Sequence, residues 1–181
     1  RRHHFPGAMA LPVVVFEVQH AGAAATEQIE VEVHAEWAPL GAKRFLELID
    51  AKYYDECYVY RVIPGFICQW GVPSDPREWD KWGANKIKDD PVKVSNSPGT
   101  VTFATSGPDA RGSQLFINYG DNKDLDGQGF SPFGVVTKGL DVAQRFAEAK
   151  GKVDQNAGKE QGNSYFSQFP ELSVIKSARL K

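Results

Sequence analysis

The chain has 181 residues, 41% of them hydrophobic and 24% charged, with a formal charge of -2. A single globular domain of that size buries about 70% of its unfolded surface and needs no disulfide or metal staple. The near-neutral balance excludes a general attraction to nucleic acid or anionic membrane, and no apolar run reaches the ~18 residues of a membrane span. Cys57 and Cys68 form no framework and no CxxC. They read as two reduced thiols, which favours a cytoplasmic setting and leaves an upstream targeting segment open. Residues 1–9 read as a tag or disordered head, and residues 10–181 as one domain.

In chain order, "LPVVVFEVQ" is a β-branched run and is predicted as a strand. The loop "HAGAAATEQ" leads to "IEVEVHAEW", where Ile29, Val31 and Val33 alternate with Glu30, Glu32 and His34. That alternation predicts a half-buried strand, and the two runs a hairpin. The period then changes. Leu40, Phe45, Leu48 and Ile49 recur at helical spacing behind Pro39, which suits a first turn, so a helix is predicted over 39–51. Two strands follow, "CYVYRVI" and "FICQWG", broken by Pro64-Gly65. Residues 73–98 hold four prolines and much charge, the mark of a long irregular excursion that carries function. "GTVTFATS" and "SQLFINY" are strands around the turn "GPDARG". After the loop "GDNKDLDGQGFSP" come a strand, "FGVVTKG", and a helix, "LDVAQRFAEAK". A polar loop over 151–169 precedes a last strand, "ELSVIKSARL". Eight strands with two separate helices point to a mainly β fold, an eight-stranded antiparallel closed barrel capped by two α-helices.

Much familiar chemistry is missing. There is no GxSxG, no GxxxxGK[ST] and no HExxH. His3 and His4 lie in the head, while His20 and His34 sit at a loop edge and on a polar strand face. Asp89, Asp90 and Asp126 read as solvated carboxylates, so no metal site is expected. The four tryptophans lack the basic stripe of a base-stacking surface. What stands out is a mixed patch on adjoining strands. Arg61, Phe66, Ile67 and Gln69 come from one pair of runs, and Ala104, Gln114 and Phe116 from the next.

The stretches "YRVIPGFICQWG", "GTVTFATSGPDARGSQLFIN" and "LDGQGFSPFGVV", in that order, resemble the cyclophilin family of peptidyl-prolyl isomerases. The resemblance spans residues 11–181 and implies isomerisation of X-Pro bonds with no cofactor. Arg61 matches the family's catalytic arginine, and Gln69 the glutamine that binds substrate backbone and braces it. Phe66, Ile67, Phe116 and Leu125 match the proline pocket, Ile67 standing where methionine is common. Ala104, Thr105, Ser106 and Gln114 match the groove for the residue before proline. Thr105 replaces a usual asparagine whose role is mainly through its backbone. The pocket-rim histidine has no counterpart, and Phe130 is expected to close the pocket instead. Asp124 replaces the rim tryptophan, which implies weak cyclosporin binding. The expected partners are proline-containing peptides and folding proteins, met by a monomer. A non-catalytic proline-peptide binding module in a larger assembly is the alternative reading.

Overall fold

A computed structural model of the chain describes residues 10–148 and 151–181. The head at residues 1–9 and the end of the second expected helix, residues 149–150, lie outside them. Nine strands form one antiparallel sheet among the described residues: β1 (Val13–Gln19), β2 (Glu27–Val33), β3 (Cys57–Tyr58), β4 (Arg61–Ile63), β5 (Ile67–Trp70), β6 (Thr100–Phe103), β7 (Leu115–Asn118), β8 (Pro132–Lys138) and β9 (Val174–Leu180). Their order is β3-β9-β1-β2-β8-β6-β7-β5-β4.

The count exceeds the expected eight because "CYVYRVI" is two strands. The chain bends at Val59 and Tyr60. Cys57 and Tyr58 pair with β9, whereas Arg61–Ile63 pair with β5. The bend also corrects the closed barrel. β3 and β4 are the two edges of the sheet, with no ladder between them. Covalent backbone joins those edges instead, and the sheet is curled into an incomplete barrel.

Side chains fill its interior. Phe16 lies 5.3 Å from Trp70 and 6.2 Å from Phe45, and Phe133 lies 4.8 Å from Phe45 and 4.9 Å from Phe103, as ring centroids. Ile29, Val31 and Val33 point into this core, as their alternation requires. Cys57 and Cys68 are free and fully buried, and burial pushes the Cys68 thiol up to about 12.

Helix α1 (Pro39–Asp50) closes one opening with Ala42, Phe45, Leu48 and Ile49. Leu40, expected on that apolar stripe, is exposed instead. The first turn has no side-chain cap of its own. Asp90 supplies one from the excursion, accepting from the backbone N–H of Leu40 at 3.1 Å and of Gly41 at 2.9 Å. The same carboxylate pairs with Arg111 at 3.0 Å, both side chains being at most 3% exposed. Asp90 is therefore not the solvated carboxylate that the sequence suggests. Asp89 is engaged too: its carboxylate accepts from the Asp109 backbone N–H, and its own backbone N–H donates to the Asp109 carboxylate.

The excursion contains α2 (Pro76–Glu78) and a wide turn over Trp79–Gly83. Two buried arginines hold it. Arg44 donates to the carbonyls of Asn85 and Gly112, and Arg111 to that of Lys88. The second expected helix is shorter than predicted. α3 (Leu140–Gln144) ends where Phe146 turns in to meet Trp70 at 6.3 Å. The expected polar loop 151–169 carries two helices, α4 (Gln155–Gln161) and α5 (Asn163–Phe166). Asp154 caps α4 by accepting from Asn156 and Ala157. Phe166 plugs into a small second core with Tyr60 and Val72.

Candidate active site

Cross-strand register explains why the mixed patch converges. Gln69 sits opposite Arg61 on one side and Phe116 on the other. Directly paired residues share a face, so the three form a row. Their neighbours Val62, Cys68 and Ile117 point the other way and are at most 3% exposed. The row thus lies on the outer face of a wall anchored in the core. Phe66 reaches the same side against strict alternation because it is still in the turn. Its N–H closes onto Ile63 after Gly65, whose φ of +72° places it in the left-handed region.

A cleft of about 390 Å³ runs along this face. Arg61, Phe66, Ile67, Gln69, Ala104, Thr105, Ser106, Gln114, Phe116, Leu125 and Phe130 all line it. Every site residue named from the sequence is therefore brought to one place. Phe116 and Phe130 meet edge to face at 5.8 Å, and with Phe66, Ile67 and Leu125 they make an apolar end. Thr105 uses its hydroxyl on the Gly107 carbonyl at 2.6 Å. Asp124 is exposed and is not part of the lining.

The polar groups are wired in series. Gln69 accepts from the Arg61 guanidinium through Oε1 at 3.1 Å. Its amide nitrogen donates to the Tyr60 hydroxyl at 2.6 Å and to Gln114 Oε1 at 3.2 Å. The Tyr60 hydroxyl in turn donates to Gln114. Burial raises the Tyr60 pKa, so the group stays a neutral donor. Sequence reasoning missed Tyr60, because alternation puts it on the face opposite Arg61. The bend at Val59–Tyr60 breaks that alternation. The Tyr60 ring is held from behind by Phe166 at 6.2 Å. For the isomerisation that the resemblance implies, Tyr60→Phe is expected to lower the rate about three- to tenfold, the loss of ~1 kcal/mol of hydrogen bonding, with circular dichroism unchanged. An unaltered rate would show that Gln69 aims Arg61 unaided.

Asn96 is the second residue that sequence reasoning missed. It is fully buried. Its side-chain amide donates to Asp126 Oδ1 at 2.7 Å and to the Phe130 carbonyl at 3.0 Å, while its oxygen accepts from Thr102 at 2.8 Å. Asp126 also accepts from Ser95 at 2.6 Å. The bonds from Ser95 and Asn96 lower the Asp126 pKa against its burial, and the whole set pins the short helical segment Lys123–Gln128 that carries Leu125. Asp126 is a structural acceptor, not a solvated carboxylate. His20 and His34 bond Ser173 and Glu32 with Glu36, away from the cleft.

No histidine, cysteine, aspartate or glutamate lines the cleft among the described residues. The hydroxyls that do line it, on Thr105, Ser106 and Ser113, therefore have no histidine or carboxylate in the cleft to activate them. An apolar socket beside a braced cation and two amides suits a reaction in which no bond to the substrate is made.

The family model described as "Cyclophilin type peptidyl-prolyl cis-trans isomerase/CLD" matches residues 15–163. The chain belongs to this cyclophilin-type isomerase family. A peptidyl-prolyl cis-trans isomerase of Acinetobacter baylyi is 36% identical over 157 residues, 82% of this chain and 83% of its own length. Peptidyl-prolyl cis-trans isomerase A of Dickeya dadantii is 35% identical over 134 residues, 67% of each chain. The fold is shared with the crystal structure of a cyclophilin type isomerase from Cryptosporidium parvum, with a TM-score of 0.69, 22% identity and coverage of 94% of this chain and 98% of that one. The family match stops short of Phe166, which buttresses this cyclophilin's Tyr60.

Proposed function

We propose that this family member catalyses X-Pro rotation with Arg61 as the catalytic residue, on proline-containing peptides and on proteins that are folding. The supporting observation is the Arg61 guanidinium, held by Gln69 at the rim of the apolar socket. An amide resists twisting because its nitrogen is conjugated with the carbonyl, a barrier of ~18–20 kcal/mol. Before proline the two planar forms are nearly balanced, yet exchange takes tens of seconds or more. An enzyme therefore has to bind the twisted form better than either planar one. A hundredfold acceleration needs ~2.7 kcal/mol of that preference.

In this reading Phe66, Ile67, Phe116, Leu125 and Phe130 hold the prolyl ring. Gln69, Gln114 and the backbone at Ala104, Thr105 and Ser106 hold the preceding residue. The carbonyl side then turns against a fixed ring. In the twisted form the prolyl nitrogen regains its lone pair and accepts a hydrogen bond from Arg61, whose planar fork stays charged at neutral pH. The test is exchange between cis and trans in a short Ala-Pro peptide, followed by NMR. Exchange faster than the uncatalysed rate is expected. Binding without faster exchange would favour the non-catalytic module.

Two further expectations belong to the same reading. The protein acts as a monomer, because the large exposed apolar residues among those described are just Leu11, Leu40 and Leu180. Cyclosporin binds weakly, because Asp124 offers a charge where the family has an indole. Calorimetry is expected to give a Kd at least tenfold tighter for Asp124→Trp than for the unsubstituted protein. Equal affinities would remove Asp124 as the cause.

A further inference from the structure

The charge in the cleft is lopsided. Its lining carries three cations, Arg61, Lys86 and Lys159, and no carboxylate, in a chain whose formal charge is -2. Arg61 belongs to the socket end. Lys86 and Lys159 gather instead around one indole. Lys159 Nζ lies 4.7 Å and Lys86 Nζ 5.6 Å from the Trp79 ring centroid. Lys86 also donates to the Gly83 carbonyl at 3.0 Å. Neither ammonium forms an ion pair among the described residues. Asp80 and Glu160 line a neighbouring depression that shares Trp79 and Lys159 with the cleft, and neither carboxylate lines the cleft itself. Partial burial, and then repulsion from Lys159, lower the Lys86 pKa. Two like charges share one aromatic ring with no carboxylate in ion-pair range, a position that an incoming anion would relieve.

The path of a peptide leads there. On the reading above, the residue before proline lies by Ala104 and Gln114. From Gln114 the wall runs back through Ser113 to Gly112. Gly112 touches the excursion so closely that a Cβ on it would meet the Gly83 carbonyl at 2.1 Å, and a Cβ on Gly83 would strike the Trp79 ring at 2.2 Å. Two glycines thus form a floor from the catalytic row to the indole. Lys159 arrives from α4, fixed by packing of Gly158 on Phe166 and by the Asn163 N–H on the Ser74 carbonyl at 2.9 Å.

We infer that Trp79, Lys86 and Lys159 form an anion-selecting subsite of the peptide groove, which takes an aspartate or glutamate two or three residues before the proline. The indole covers the methylene stem of that residue, and the two ammonium groups pair with its carboxylate. The inference rests on the isomerase reading only for the direction of the peptide.

The test uses blocked pentapeptides Ala-X-Ala-Pro-Phe and X-Ala-Ala-Pro-Phe, with X as Glu, Gln or Lys. Exchange is followed by NMR in about 20 mM and about 500 mM salt. At low salt, kcat/KM is expected to fall in the order Glu, Gln, Lys in at least one register, with Glu over Lys by about tenfold. High salt shrinks that ratio. In the double variant Lys86→Gln/Lys159→Gln the ratio drops to within about twofold. Because each ratio is taken within one protein, a general loss of activity cancels. A Glu-to-Lys ratio near one in both registers overturns the subsite, as does a preference that survives the double substitution. If no peptide is turned over, the isomerase reading fails by itself. The subsite is then judged by the same ratios in Kd, measured by calorimetry.

Discussion

Arg61→Ala is expected to lower kcat/KM for an Ala-Pro peptide by an order of magnitude or more, with the thermal midpoint within about 2 °C of the unsubstituted protein. The asymmetry follows from where the side chain lies. Arg61 is half-buried at a rim, and its Nη1 meets Gln69 without entering the core. Its Cα stays paired in β4 opposite Gln69 whatever the side chain. Removing the guanidinium therefore takes little from folding. It removes the donor that the proposed mechanism gives the twisted prolyl nitrogen, and the other cations of the cleft lie by Trp79. Arg61→Lys keeps a charge but loses the planar fork, and an intermediate rate is expected. The assay has to be free of protease, so that cleavage does not report on substrate conformation. Equal activity in Arg61→Ala would refute the assigned role.

Asp90→Ala is expected to have the opposite signature: a large loss of stability of about 3–5 kcal/mol, the cost of leaving a buried charge unpaired. For a chain of this size the midpoint should fall by roughly 10 °C. Asp90 answers Arg111 and two open N–H groups of α1 at once. Gly41 belongs to the same arrangement, since a Cβ there would lie 2.8 Å from the Arg111 guanidinium. In Asp90→Ala/Arg111→Met no unpaired charge remains, so part of the loss should return. Calorimetric melts of the single and double variants check this. A single variant melting with the unsubstituted protein would show that water replaces the carboxylate.

The contrast between these residues shows what the sequence can disclose. Arg61, Gln69 and Phe116 were legible because they lie in short strands whose period and motif spacing place them together, and Phe66 and Gln114, just outside those strands, through the motif spacing alone. Asp90 was not. In sequence it is one of two acids before a proline, and its burial depends on Arg111 arriving from another loop. Tyr60 was hidden by the bend that also splits β3 from β4, since local period says nothing about where a strand changes edge. The segment 151–169 read as a loop because its helices are short and polar. Their stability comes from Phe166 docking on Tyr60 and Val72, a contact spanning about half the chain. Leu40 erred the other way, as helical spacing marks a stripe but not how far the neighbours cover it.

The seam at Val59 and Tyr60 has a bearing on biosynthesis. β3 lies on β9, and β9 also lies on β1. Strands from the start and middle of the domain therefore wait for the last one to leave the ribosome. Until then the nascent polypeptide can assemble the wall that bears Arg61, but the bend that aims Tyr60 has nothing to brace against. A prolyl isomerase would thus reach full competence only after its own translation has passed Leu180.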